Sequence, residues 1–218
     1  ASFEVLVVEV ESVTLSPNKT AYCKDKEITV TAALTEGASL PTGCTVVWGG
    51  DATFSNQSGL TATAKLGTVG SGKKITAKVG SQSPAIESST FDVVEVEFSE
   101  LGTKYGWDDY TDSNLPWKSV KKGGNDTVKA DITPASAFAS IDLESTVISK
   151  VTVSPATPTS GAQTVTVAGV ANGESEIQAK AGSSVCDKIK AKTYTEITKT
   201  VAVTLVHEKA SGAGDAGY

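Results

Sequence analysis

The 218-residue sequence has no arginine and no methionine, so all 19 of its basic side chains are lysines. Most nucleic-acid-binding proteins use the planar guanidinium of arginine to grip phosphates and guanine edges. Acidic residues are in excess, and the formal net charge is −6. We therefore expect no nucleic-acid partner. No apolar run approaches the ~18 residues of a membrane helix, so we also expect no membrane span.

Histidine is almost absent as well, since His207 is the only one. The residues after it lack the second histidine of a zinc-protease motif, and a single histidine supports neither a catalytic triad nor a His-rich metal site. The glycine-rich run 67–72 lacks the spacing of a phosphate-binding loop. With no nucleophile–base pair and no metal-ligand cluster in the sequence, we predict that the protein is not an enzyme and has no catalytic residues.

Cysteine is scarce, with Cys23, Cys44 and Cys186 present, so at least one thiol is unpaired within a monomer. Cys23 and Cys44 lie in the same half, and a disulfide between them is plausible in an oxidising compartment. The predicted strands beside them would hold the two apart, whereas a disulfide needs Cα atoms within ~7 Å. The sequence therefore leaves two possibilities for Cys23 and Cys44, a disulfide between them or two free thiols. Cys186 is predicted to be a partly buried, unreactive thiol.

Threonine, serine, valine, alanine and glycine dominate the sequence, and β-branched residues recur with a period of two. This pattern is typical of short strands with one buried face. Turn signals such as Gly49-Gly50, Gly70-Ser71-Gly72 and Asn172-Gly173 separate the alternating segments. The length suits two domains of about 100 residues each. We therefore predict an all-β protein built from two tandem two-sheet sandwiches.

The two halves of the chain repeat one another. Residues 75–81 (ITAKVGS) match residues 177–183 (IQAKAGS). Three further pairs of segments follow the same order at a spacing of roughly 100 residues, which is the signature of an internal repeat. These pairs are 28–34 with 128–133, 61–67 with 164–169, and 91–96 with 201–206.

The segments Val13–Pro17 (VTLSP) and Val151–Pro155 (VTVSP), the repeated ITAKVGS-type strand and a long valine-rich last strand, predicted over 188–206, resemble bacterial immunoglobulin-like repeats. The resemblance extends over residues 13–206. It implies two tandem immunoglobulin-like β-sandwiches in a secreted or cell-surface protein with a structural or adhesive role. It also implies partners that are other protein subunits or further domains of the same array.

The resemblance predicts a division of the chain into four parts. These are an N-terminal linker or donor strand at 1–12, a first domain at 13–98, a second at 99–206 and a Gly/Ala-rich tail at 207–218. An aromatic residue on the third strand usually fills the space between the two sheets, and Trp48 is predicted to do so.

One strand sequence occurs twice. Residues 2–12 (SFEVLVVEVES) return, one residue shorter, as residues 90–99 (TFDVVEVEFS). The second copy falls where the first domain should end, whereas the first copy completes no domain of this sequence. Because sheet edges accept added strands, we predict an assembly strand that pairs with another molecule or with its own first domain. Its apolar positions are Phe3, Val5, Val7 and Val10.

Residues 105–117 combine four aromatic and three acidic side chains. The aromatics either pack at a domain junction or form a binding platform for sugar rings. The carboxylates either cap turns or supply oxygens to Ca²⁺, although no known loop spacing is met. The candidate residues are Tyr105, Trp107, Tyr110 and Trp117 for ligand binding, and Asp108, Asp109 and Asp112 for Ca²⁺. We predict a stalk, spacer or filament subunit, with an adhesive or carbohydrate-binding module as the alternative.

Overall fold

A computed structural model of the chain describes residues 7–35, 38–101 and 116–196. Within these ranges the regular elements are strands, apart from one short 3₁₀ helix, Ala135–Ser140. The strands up to the middle of the chain are β1 (Val10–Ser16), β2 (Ala21–Cys23), β3 (Glu27–Leu34), β4 (Val46–Gly50), β5 (Thr53–Ser58), β6 (Thr61–Lys65), β7 (Gly70–Lys73), β8 (Ile75–Val79), β9 (Ile86–Glu87) and β10 (Phe91–Ser99). Those that follow are β11 (Trp117–Lys121), β12 (Asn125–Thr133), β13 (Asp142–Ser145), β14 (Val151–Ser154), β15 (Ala162–Gly169), β16 (Gly173–Ala181) and β17 (Ser184–Tyr194).

The N-terminal strands form a sandwich of two facing sheets, with strand orders β1-β3-β6-β5 and β4-β8-β9. Side chains alternate between the faces of a strand, so every second residue points between the sheets. The result is a first core in which Val30, Leu66, Ile75, Phe91 and Val93 are buried. Trp48 packs against this core and is only partly buried, with its ring 6.0 Å from that of Phe54.

The C-terminal strands form a second sandwich, with orders β14-β15-β12-β10-β2 and β11-β17-β16-β13. Its second core includes Val96, Val128, Val167, Ile177 and Ile189, all buried. The predicted fold class, all-β with packed two-sheet sandwiches, is confirmed. The division into domains at residue 98 stays a prediction.

The repeat seen in the sequence is a repeat of structure. On β8 the inward residues are Ile75, Ala77 and Val79, and the matching residues of β16 are Ile177, Ala179 and Ala181, all buried. A glycine with positive φ ends each strand, at +56° for Gly80 and +58° for Gly182. This left-handed backbone explains why both copies place glycine there.

Two strand boundaries differ from those expected. The first strand begins at Val10 instead of Val13, because Val10 already pairs with Leu34 of β3. The last strand was expected to extend from residue 188 to residue 206, but β17 is Ser184–Tyr194. The tail 207–218 and the predicted strand ending 201–206 lie outside the described residues.

Candidate functional site: the junction between the sandwiches

Strand β10 belongs to both sandwiches. Its first half lies parallel to β2, with Asp92–Val94 opposite Ala21–Cys23. Its second half, Glu95–Ser99, is antiparallel to β12. One continuous strand of nine residues therefore closes the N-terminal sandwich and opens the C-terminal one.

The alternation of side chains on β10 explains how one strand serves two cores. Phe91 and Val93 point to one side and are buried in the first core. Val94, Val96 and Phe98 point to the other side and are buried in the second core. Because β10 continues without a break from the first core into the second, no flexible linker separates the sandwiches at this strand.

Strand β2 is divided between the cores in the same way. Tyr22 faces the first core, where its ring meets that of Phe91 edge to face at 5.3 Å. Its hydroxyl donates a hydrogen bond to the carbonyl oxygen of Pro17 (2.6 Å). Burial raises the pKa of Tyr22. Ala21 and Cys23 face the second core.

A disulfide joins the two sandwiches across this junction. Cys23 of β2 is bonded to Cys186 of β17, with the two Cα atoms 5.0 Å apart. The structure therefore does not contain the proposed Cys23–Cys44 bond, and the prediction of an unpaired Cys186 is wrong. Cys44 is exposed and lies beside Val8 and Gln82, at the end of the N-terminal sandwich away from Cys23.

Polar contacts also cross the junction. The Lys19 ammonium group donates to the carbonyl oxygen of Ala181 and to the Ser183 hydroxyl, both at 3.3 Å. Lys24 forms an ion pair with Glu95 at 2.7 Å. Exposed pairs of this kind contribute little, at most about 1 kcal/mol each. The shared strand, the two cores and the disulfide must therefore provide most of the rigidity.

The predicted assembly strand is only partly described. Val10 is 2% exposed and lies in the first core of its own chain. Of the two partners predicted for this strand, another molecule or its own first domain, Val10 has the second, because it lies opposite Leu34 of β3. On its other side the Val10 amide donates to Gln82 Oε1 (2.9 Å), and Gln82 Nε2 donates to the Val10 carbonyl oxygen (2.8 Å). Val7 is 62% exposed. Phe3 and Val5 lie outside the described residues.

The aromatic and acidic segment is mostly outside the described residues, which exclude Tyr105, Trp107, Tyr110 and the three aspartates Asp108, Asp109 and Asp112. Trp117 is described. It begins β11, which lies parallel to β17 in the C-terminal sandwich. The Lys190 ammonium group lies 4.9 Å from the centre of its ring, a cation–π contact. Within 7–35, 38–101 and 116–196, no group of three or more His, Cys, Asp or Glu side chains could hold a metal ion.

Lys118 was not singled out in the sequence, yet it is 3% exposed. It shares the inward face of β11 with Val120, so the two-residue period alone could have found it. Its ammonium group lies 2.9 Å from the carboxylate of Asp126. Burial acts to raise the pKa of Asp126, but hydrogen bonds from Lys118 and from the Thr127 amide, with the Lys118 charge, outweigh it and lower that pKa.

Comparison with known proteins gives a match only among solved structures. No family model and no curated protein matches the sequence. The chain is similar to domains 4 and 5 of the S-layer protein SbsC, at 18% identity over 88% of this chain and 99% of that one, with a TM-score of 0.34. It is also similar to the D00–D0 domain of intimin (17% identity, 85% and 97% coverage, TM-score 0.31). A further similarity is to invasin, described as a bacterial integrin-binding protein. Here the identity is 16% over 84% of this chain and 40% of that one, with a TM-score of 0.32.

Identities and TM-scores at this level support no assignment of function. In the part of the chain that the structure describes, no helix is long and apolar enough to cross a membrane.

Proposed function

We propose that the chain is a non-enzymatic structural module of a secreted or cell-surface protein, in which tandem sandwiches act as a stiff stalk or spacer. The observation that carries the proposal is β10, which passes from one sandwich into the other without a break. The Cys23–Cys186 bond supports an extracellular location, because disulfides form and persist in oxidising compartments.

A stiff connection suits a stalk because it holds whatever lies at the far end at a constant distance. Flexible linkers between domains are usually rich in glycine and serine and behave as random coils. Here Val93 and Val94, at the crossing point, are both 0% exposed and contribute to different cores. Bending at this point would expose apolar surface, at roughly 25 cal/mol per Å².

The same strand supplies a hypothesis for the N-terminal residues. Residues 8–11 (VEVE) are identical to residues 94–97 of β10. Upstream, residues 3–5 (FEV) match residues 91–93 (FDV) when residues 6 and 7 are treated as a two-residue insertion. Phe3 and Val5 then correspond to Phe91 and Val93, which are 2% and 0% exposed in the first core. We propose that residues 3–8 close a further sandwich, while Val10 opens this one. That further sandwich is either a preceding domain of an array or part of a second molecule that forms a filament.

Distance measurements between spin labels test the stiffness of the junction. One label is attached to the exposed Cys44 and the other to Thr152→Cys on the C-terminal sandwich. We expect a distance distribution as narrow as that of a control pair within one sandwich, Cys44 with Ser55→Cys. A distribution several times broader than the control would refute the stalk.

Sedimentation over a range of protein concentrations tests the assembly version. If residues 3–8 close a sandwich of a second molecule, the chain associates, and Phe3→Asp with Val5→Asp abolishes the association. Ser2→Asp is the matched control, because its counterpart Thr90 is exposed. If the protein is a monomer at every concentration, residues 3–8 do not close a sandwich of a second molecule. The proposal is then reduced to a preceding domain of the same array.

A further inference from the structure

The turn between β16 and β17 holds a lysine that belongs to the other sandwich. The Lys19 ammonium group donates to Ala181 O and to the Ser183 hydroxyl, both at 3.3 Å. Gly182 lies between these two acceptors, and a Cβ on Gly182 would be 2.9 Å from the Lys19 nitrogen. The turn is therefore a socket, in which a carbonyl and a hydroxyl bind the ammonium group and a glycine leaves room for it.

The N-terminal sandwich has the same three groups in the turn after β8. Residues 75–81 repeat residues 177–183, so Val79 O, Gly80 and the Ser81 hydroxyl correspond to the groups of the socket. Gly80 and Ser81 are exposed. No atom of the described residues lies within 4 Å of a Cβ placed on Gly80. This second socket therefore faces solvent.

The strand beside each socket is equivalent as well. Residues 8–11 and 94–97 are both VEVE, and each segment leads into the first strand of its sandwich. Val8 therefore has the position of Val94. At the junction Val94 lies opposite Cys23 of β2, a strand from the N-terminal half of the chain, and is 0% exposed. Val8 is only partly buried, so a position that is covered at the junction is partly open at the N-terminal end.

The charges beside the two sockets are also equivalent. Glu95, next to Val94, forms an ion pair with Lys24 at 2.7 Å. Glu9 has the position of Glu95, is exposed and forms no ion pair with any described residue. A partner with a lysine in the place of Lys24 would meet a carboxylate of opposite charge there. Complementary charges of this kind orient two surfaces as they meet.

The second socket is one wall of a cavity of about 460 Å³ that extends to Cys44. By the pairing of β4 with β8 and of β13 with β16, Cys44 has the position of Ala139. At the junction Ala139 lines a cavity together with Lys19, Thr20 and Ala21 of the other sandwich. The cavity beside Cys44 therefore lies where the other sandwich stands at the junction.

The described C-terminal end of a second copy does not offer this lysine. Strand β11 runs parallel to β17 as β2 runs parallel to β10, and the amides of Lys122 and Lys24 donate to equivalent carbonyls. In this register Trp117 stands where the N-terminal sandwich has Lys19. An indole has one N–H donor and no charge, so it does not replace an ammonium group with two acceptors. The socket thus matches a sandwich that ends as the N-terminal one does.

We propose that the turn at residues 79–81 is a lysine-binding socket for a preceding β-sandwich that ends as the N-terminal sandwich of this chain does. The counterpart of Lys19 in that sandwich enters the socket, and the counterpart of Lys24 pairs with Glu9. The inference rests on the proposed function, because it specifies the groups through which a preceding domain of the array contacts this one.

A lengthened chain tests the socket. Residues 1–93 are placed directly before residues 8–218, so that the sequence at the join is FDVVEVE, as in β10. The added part has a complete core, because every buried residue of the first core lies within 10–93. The join leaves out residues 1–7, so the result is independent of the strand proposed for residues 3–8.

The reactivity of a thiol at the new junction measures the docking. Val8→Cys at the join is the probe, and Cys44→Ser in both copies with Cys23→Ala in the added copy removes the other free thiols. Because Val94 is 0% exposed, we expect labelling roughly tenfold slower in the lengthened chain than in the original chain. Val47→Cys, at a 49% exposed position, should keep its rate.

Substitutions in the added copy test the lysine itself. Lys19→Glu places a carboxylate against the Val79 carbonyl and should speed labelling of the probe about fivefold. Lys26→Glu makes the same change of charge at an exposed position outside the socket, and should alter the rate less than about twofold. Lys19→Trp supplies the side chain of the C-terminal end and should act as Lys19→Glu does.

Each result supports or overturns the proposal. Unchanged labelling beside a folded third sandwich overturns the docking surface, as does failure of the added residues to fold at this end. Equal effects of Lys19→Glu and Lys26→Glu, or full protection with Lys19→Trp, overturn the requirement for a lysine. The spin-label distances across the existing junction are measured on the original chain, so a failure here is distinguishable from a failure of the stalk.

Discussion

Reduction of the Cys23–Cys186 bond is expected to lengthen the chain greatly under force. The two cysteines are separated by 163 positions in the sequence, yet their Cα atoms are 5.0 Å apart. A force applied between the two ends of the chain therefore passes through the disulfide and does not reach the residues between the cysteines. Most of both sandwiches is in that protected loop.

The size of the effect follows from the length of the loop. An extended chain spans about 3.3–3.6 Å per residue, so releasing 163 positions adds on the order of 560 Å of contour length. With the disulfide intact, only residues outside the loop can extend, which in the described chain are β1, most of β2 and the last part of β17. For a stalk under tension, the bond acts as a limit on extension.

Single-molecule force spectroscopy on the full chain, held at residues 1 and 218, measures this difference directly. We expect the contour length to rise by about 560 Å when a reductant is added, or when Cys186 is replaced by serine. Cys44→Ser is the control and should leave the force–extension curve unchanged. Equal contour lengths with and without reductant would refute both the Cys23–Cys186 pairing and the force path through it.

Three other perturbations have defined outcomes in chemical or thermal unfolding. Phe91→Ala should cost about 3–5 kcal/mol, because it leaves a cavity in the first core beside Tyr22. Asp126→Asn should cost about 1 kcal/mol, a value reduced by the 49% exposure of that side chain, since it removes the charge paired with buried Lys118. Because the pKa of Asp126 is lowered on folding, this contribution is present above its ordinary value of 3.8 and is lost as pH falls through the lower folded value. Gly182→Ala should cost about 1 kcal/mol, because its φ of +58° strains any residue with a Cβ.

Matched substitutions check each of these results. Val47→Ala, at a 49% exposed position, should change stability by less than about 0.5 kcal/mol, and a loss equal to that of Phe91→Ala would contradict the core argument. The Asp126→Asn variant should lose its stability difference from the parent at low pH, and a constant difference would argue against the ion pair. Gly80→Ala should resemble Gly182→Ala, because the added Cβ of the latter meets only the flexible end of Lys19.

The sequence by itself determined the strands and the repeat. The period of two in residues 28–34, 75–79 and 177–181 corresponds to strands with one buried face, because side-chain alternation is a local property of extended backbone. The shared glycines Gly80 and Gly182 were visible for the same reason, since a left-handed residue is required within the turn itself. The sequence also drew attention to the strand that occurs twice.

Only the tertiary structure decided what that strand does. Whether Phe91 and Val94 fill one core or two depends on which sheets cover each face of β10, and alternation is the same in either case. The pairing of Cys23 with Cys186 likewise depends on β2 meeting β17 across the junction, a contact between strands 163 positions apart. Local patterns specify which residues are buried, but the partner that buries them is set by how distant strands pack together.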